Sequence, residues 1–232
     1  MEHVIAPSER PSLAVAGTGA RFPVRRIYCI GKNYVAHIHE MNADERDPPV
    51  IFQKPTDAVV PGGGALPYPV FTSNLHYEGE LVVALHSGGY DIPEDEAEEH
   101  IFGYACGLDM TRRDHQAEAL AKGLPWEVTK AFDKSAPIGT ITPAETCGHL
   151  TEAPIRTLIN GDAKQDADVS LMIWTTREII ARISQQHRLE AGDLIMTGTP
   201  AGVGAVTEGD RIEVEIGPLE PLSVTIEGRA GA

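Results

Sequence analysis

Glycine and proline recur along the whole chain, 23 of the first and 17 of the second among 232 residues. Neither sits easily inside a helix. Glycine loses the most backbone freedom there, and proline lacks the N–H that the helix ladder needs. So many of both argue against a helical bundle and for short strands joined by tight turns. A hydrophobic fraction of 42% still allows a sizeable core, and the length fits one large domain.

Residues 1–24 carry several Pro and Gly and little periodicity, which suggests an N-terminal arm that packs on the body or on a neighbouring subunit. Residues 25–232 then read as a single catalytic domain. Arg26–Ile30 reads as a strand ended by Gly31, and Asn33 is placed to cap a short helix through about Met41. Residues 42–49 are polar and end in proline, as a loop would. Val50–Phe52 and Ala58–Val60 read as short strands, and Gly62 to Gly64 as a turn without the Lys and Ser/Thr of a phosphate loop. Glu80–Leu85 is a strong strand, Pro93–His100 an acidic helix, and Ile101–Leu108 a strand running into Asp109. Thr111 and Asp114 have the spacing of a capping box for a helix to about Lys122. Asn160-Gly161 after Ile155–Ile159 signals a hairpin. Leu171–Gln186 has helical periodicity, and Leu194–Met196, Arg211–Ile216 and Leu222–Ile226 read as closing strands. The class is mixed, mostly β with inserted helices. It does not alternate strand and helix as a Rossmann fold does.

A formal net charge of −15 repels phosphate backbones and argues against nucleic-acid binding. No segment has the roughly 18 apolar residues of a membrane span. Cys29, Cys106 and Cys147 form no CxxC pair and read as reduced thiols, so the expected compartment is the cytoplasm.

Glu78 and Glu80 stand two residues apart on a strand and therefore share a face. Converging carboxylates repel unless a cation lies between them. Gly79 between them leaves room for a close approach, and Asp109 ends the next strand-like segment. By spacing alone, alternating Glu on a strand more often marks a solvated face. If the three do converge, an oxygen-only donor set suits Mg2+ or Mn2+ better than Zn2+. His37 and Glu40 have i, i+3 spacing, which makes them neighbours on a helix. A carboxylate beside an imidazole is a water-activating pair, although the same spacing serves a surface helix equally well. His39, His76, His86 and His100 read as surface or supporting residues.

The combination is more specific than its parts. Tyr28-Cys29-Ile30-Gly31-Lys32-Asn33-Tyr34 with His37-x-x-Glu40 resembles the opening block of the fumarylacetoacetate hydrolase family. So do His76-Tyr77-Glu78-Gly79-Glu80-Leu81, Gly107-Leu108-Asp109-Met110-Thr111 and Gly123-Leu124-Pro125-Trp126, followed by Lys130, Asn160-Gly161 and Thr197-Gly198-Thr199-Pro200-x-Gly202-Val203-Gly204. The blocks occur in family order over roughly residues 25–228. The resemblance implies the fold of the fumarylacetoacetase C-terminal domain, a β-sandwich roll, as a homodimer. It implies one divalent ion per subunit, Mg2+ or Mn2+, on Glu78, Glu80 and Asp109. It further implies His37 and Glu40 as the water-activating pair, Lys130 as the active-site lysine, and Arg113, Gln116 and Thr199 as substrate-binding residues.

The chain is similar to the short, acylpyruvate-cleaving branch of that family. The expected reaction is hydrolysis of a small 2,4-diketo acid at C3–C4, with water activated by His37 and the oxyanion met by Lys130 and Gln116. The pattern around Phe52-Gln53-Lys54-Pro55 is similar to enzymes that act on fumarylpyruvate in gentisate breakdown, with maleylpyruvate equally compatible. Arg112, Arg113, Lys122 and Lys32 are all candidates to meet the distal carboxylate of such a substrate. Oxaloacetate decarboxylation, or isomerisation or hydration of a 2-keto acid, are the rival activities. A metal-dependent 2-keto-acid binder without catalysis is the non-enzymatic one.

Overall fold

The computed structural model describes residues 3–34 and 48–229. Its centre is an eight-stranded sheet in which Val50–Lys54, Arg26–Gly31, Asp193–Met196, Gly79–Leu85, Ile101–Leu108, Ala136–Ile138 and Val59–Pro61 follow one another, with Thr142–Pro143 added beside Ile101–Leu108. A five-stranded sheet runs in the order Asp162–Asp168, Pro154–Ile159, Arg211–Ile216, Leu222–Glu227, Gly64–Pro67. Thr111–Arg112, Leu75–Tyr77 and Gly204–Val206 form a third, small sheet. The fold is mostly β with few helices, as the glycine and proline content indicates.

Gly79–Leu85 shows why the eight-stranded sheet lies at the centre. All seven of its residues are buried. Successive side chains point to opposite faces, and both faces are covered. Leu81, Val83 and Leu85 enter a large core shared with the five-stranded sheet and with Ile179, Ile180 and Ile183 of the helix Thr176–Gln186. Val82 and Ala84 enter a second core with Ile27, Cys29, Leu194 and Met196. Leu13, Val15, Phe22 and Val24 from the N-terminal residues are buried in that second core, where Ser12–Ala14 pairs with Arg21–Pro23. Among the described residues no helix is long and apolar enough to cross a membrane. All three cysteines are free thiols.

Three local expectations need correction. The helix read as Leu171–Gln186 begins only at Thr176. Val169–Leu171 is a 3-10 turn, and a capping box formed by Thr175 and Glu178 sets the start. Glu94–His100 is helical, but of the tighter 3-10 type. Thr111 does not cap the helix Arg113–Lys122, which starts without a side-chain cap. It lies in a strand pairing with Leu75–Tyr77, and the Asp114 carboxylate instead accepts from Thr72 Oγ1 (2.6 Å) and Ser73 N (2.9 Å). Asn33 uses its side chain across the fold: it accepts from Trp174 N at 2.8 Å and donates to Trp174 O and Thr197 O at 3.0 and 2.7 Å. The helix it was expected to open lies outside the described residues.

The hairpin at Asn160-Gly161 joins Pro154–Ile159 to Asp162–Asp168, and both turn residues have positive φ (53° and 88°), as a two-residue hairpin turn requires.

Candidate active site

Three carboxylates meet at one end of the central sheet. Glu78 and Glu80 flank Gly79 and point to the same face, that of Val82 and Ala84. The antiparallel pairing of Gly79 with Leu108 brings the next strand alongside, and Asp109 N donates to Glu78 O at 2.9 Å. One oxygen from each of Glu78, Glu80 and Asp109 lies within 4.8 Å of the others, and all three residues are buried.

Gly79 makes this approach possible. A β-carbon there would stand 2.0 Å from Thr157 Oγ1 on the facing sheet. The gap is closed by a polar clamp. Gln165, fully buried, accepts from Gly79 N at 3.0 Å and donates to Thr199 Oγ1 and Pro200 O at 2.7 and 2.8 Å. Thr199 Oγ1 donates in turn to Gly79 O at 2.9 Å. The turn from Thr197 to Pro200 is thereby fixed against the carboxylates. Gly198 has a φ of +97°, and a β-carbon on it would lie 2.7 Å from Asn33 Cβ. Its N–H donates to Glu80 Oε2 at 2.9 Å.

Buried charge is expensive unless paired, and cations surround two of the three acids. Lys130 Nζ donates to Glu78 Oε2 (2.6 Å), Asp109 Oδ2 (2.6 Å) and Thr111 Oγ1 (2.7 Å), so each of its three protons has an acceptor. Lys54 Nζ is 2.8 Å from Asp109 Oδ1 and also donates to the main-chain oxygens of Met110 and Lys130. Arg113 donates to Glu78 Oε1 at 2.5 Å. Burial pushes the Glu78 carboxyl up, but Lys130 and Arg113 outweigh it and bring its pKa to about 2. Lys130 is shifted upward, because Asp109 and Glu78 overcome its burial.

Glu80 is different. Its hydrogen bond comes from an amide, and no cation pairs with it among the described residues. Burial first, and then repulsion from Asp109 and Glu78, hold its carboxyl well above the usual carboxylate range. A buried acid pressed against two others, with oxygen donors only, fits a hard divalent cation such as Mg2+ or Mn2+.

Arg113, Gln116 and Thr199 line the same cavity as the triad, together with Phe52 and Trp126. Arg113 and Gln116 are three apart on the helix Arg113–Lys122, and Arg113 Nη1 donates to Gln116 Oε1. That assigns the other end of the Gln116 amide as a donor. Arg113 Nε donates to His76 Nδ1 at 3.2 Å. Burial, and next the Arg113 charge, lower His76 to about 4, so its imidazole is neutral and acts as a prop for Arg113.

Seven of the nine residues implied by the family resemblance, Lys130 among them, are therefore brought together. His37 and Glu40 lie outside the described residues. The sequence reading passed over Lys54, Thr111 and Gln165 as site residues. A lysine sharing the face of Val50 and Phe52 was a usable signal for Lys54. Gln165 sits in a polar strand and carried none.

The model of the family described as fumarylacetoacetate (FAA) hydrolase C-terminal matches residues 26–227. A crystal structure of fumarylpyruvate hydrolase from Pseudomonas aeruginosa in complex with Mn2+ and pyruvate is 48% identical, with a TM-score of 0.96 over 98% of this chain and 100% of that one. A fumarylpyruvate hydrolase of Ralstonia sp. is 44% identical over 176 residues, 75% of this chain and 91% of that protein. The mitochondrial oxaloacetate tautomerase of Rattus norvegicus is 40% identical over 203 residues, 88% of this chain and 92% of that protein.

Proposed function

Because the chain belongs to the fumarylacetoacetate hydrolase family, we propose that it is a divalent-metal-dependent hydrolase of acylpyruvates. It splits the C3–C4 bond of fumarylpyruvate, or of its maleyl isomer, into pyruvate and the dicarboxylic acid. The observation that carries the reading is the buried oxygen-only triad Glu78, Glu80 and Asp109 in one cavity with Arg113, Gln116 and Thr199. The similarity to a hydrolase solved with Mn2+ and pyruvate supports the substrate class.

An Mg2+ or Mn2+ ion held by the triad supplies Lewis-acid stabilisation at the 2-keto acid end. The protein side chains set the charge around it. Three carboxylates are balanced by Lys130, Lys54 and Arg113. A divalent ion on the triad would leave the centre with two positive charges, suited to an anionic 2-keto acid.

His37, oriented by Glu40, takes a proton from water, and the hydroxide adds to the C4 carbonyl. The Lys130 protons are all engaged, so the amide N–H of Gln116 is assigned to the oxyanion, while Lys130 holds Glu78 and Asp109 in place. The C3–C4 bond breaks with its electron pair left on C3, and the proton held by His37 returns there. Water is thus divided between the two products. The family resemblance further supports a homodimer acting in aromatic breakdown, and three free thiols support a reducing compartment such as the cytoplasm; light scattering tests the assembly.

A second reading has its own support. The similarity to an oxaloacetate tautomerase at 40% identity favours oxaloacetate as an alternative substrate. Its tautomerisation or decarboxylation shares the pyruvate end but needs no attacking water. The test is a side-by-side assay of fumarylpyruvate, maleylpyruvate, acetylpyruvate and oxaloacetate with Mg2+ and with Mn2+. Diketo enols lose their near-ultraviolet absorbance on cleavage. Expected is one pyruvate per fumarylpyruvate consumed, with kcat/KM above that for oxaloacetate. Turnover of oxaloacetate with no cleavage of any acylpyruvate would replace the first reading with the second.

A further inference from the structure

We propose that Lys32 binds the distal carboxylate of the substrate and so sets a preference for acylpyruvates that end in a second acid. The inference rests on the acylpyruvate-hydrolase reading above.

Sequence leaves four cations open for this role, and their surroundings separate them. The Arg112 guanidinium lies over the Phe132 ring at 4.5 Å and lines a different cavity. Lys122 is paired with Glu118 at 2.6 Å on the exposed face of its helix. Arg113 lines the right cavity, but its guanidinium is held by Glu78, Gln116 and His76 at the buried, carboxylate end. Lys32 lines the same cavity and has no ion pair among the described residues.

Position supports the assignment. Lys32 is only half-buried, whereas Glu78, Glu80 and Asp109 are fully so. A substrate whose pyruvate end lies at the triad extends its far carboxylate toward the more open part of the cavity. The same cavity is lined by Trp126, whose ring comes within 3.1 Å of where a β-carbon on Gly31, the neighbour of Lys32, would be, and by Phe52, 5.5 Å from Trp126 between ring centroids and 5.4 Å from Lys130 Nζ. These flat apolar faces suit the carbon–carbon double bond of a fumaryl group. Lys32 also has a φ of 61°, the left-handed region that disfavours a residue with a β-carbon.

The test compares wild type, Lys32→Met and Lys32→Arg with Mn2+ on two substrates. Fumarylpyruvate has the distal carboxylate and acetylpyruvate lacks it. For Lys32→Met the kcat/KM on fumarylpyruvate should fall about ten- to a hundredfold, mainly through KM, as for loss of a charged hydrogen bond. Acetylpyruvate should change by less than about twofold, and Lys32→Arg should keep most of the fumarylpyruvate activity. Equal losses on both substrates, or none on either, would overturn the proposal. Calorimetric binding of fumarate, measured with Mn2+ and pyruvate present, gives a readout independent of turnover. It should weaken in Lys32→Met and persist in Lys32→Arg, and unchanged binding in Lys32→Met overturns the assignment. Failure of the wild type to cleave either acylpyruvate would instead overturn the hydrolase reading, with fumarate binding still deciding the role of Lys32.

Discussion

Lys54 Nζ stands 2.8 Å from Asp109 Oδ1, and both side chains are almost wholly shut off from solvent. Removing one partner of such a pair leaves a buried charge uncompensated, at about 3–5 kcal/mol. Lys54→Met should therefore destabilise the metal-free protein strongly. A divalent ion on the triad supplies the missing positive charge, so the loss should shrink when Mn2+ is present. Urea unfolding with and without the metal checks this. An equal loss in both conditions would mean that Lys54 acts by packing alone.

His37→Ala should lower kcat by about a hundredfold or more, the usual contribution of a general base. Mn2+ affinity should stay near that of the wild type, because the assigned ligands are untouched. Metal titration beside steady-state kinetics separates the two effects. A variant with near-wild-type kcat would remove His37 from the mechanism.

Gly79→Ala places a methyl group 2.0 Å from Thr157 Oγ1. Overpacking of this kind costs about 1–3 kcal/mol. Part of that should return in the double variant with Thr157→Ala, because the clashing atom is gone. A double-mutant cycle by chemical denaturation reads the coupling. No recovery would show that the two strands do not approach as closely as described.

The raised Glu80 carboxyl gives a pH dependence of definite sign. A group whose folded pKa lies above its unfolded value stabilises the fold below the unfolded pKa, and that stability is lost as pH rises through the folded pKa. Glu80 should therefore make the metal-free protein less stable in mildly alkaline than in mildly acidic solution. A bound ion needs the ionised carboxylate, so metal uptake should release a proton. Calorimetry in two buffers of different ionisation heat measures it. Uptake with no proton released would mean that Glu80 is already ionised in the metal-free protein.

Much of the architecture is legible in local pattern. Gly and Pro mark the strand-and-turn design. The strand Glu80–Leu85 and the turn Asn160-Gly161 are visible because side-chain alternation and positive φ are properties of a few neighbouring residues. Thr111 shows the limit. It has the local chemistry of a helix cap, yet it pairs in a strand with Leu75–Tyr77 and accepts from Lys130. Tertiary partners outcompete a cap that local spacing alone would favour.

The opening pair of acids, Glu78 and Glu80, was fixed to one face by strand geometry, and ordered motifs tied them to Asp109, Lys130, Arg113, Gln116 and Thr199. What the sequence alone determined was the shared strand face of the two acids and the family whose motifs single out the others. Only the tertiary structure decided that the three acids are buried and convergent, that Lys54 and Gln165 complete their surroundings, and that Glu80 is left without a cation of its own among the described residues. Burial and charge balance depend on which distant segments share a volume, and no local spacing encodes that.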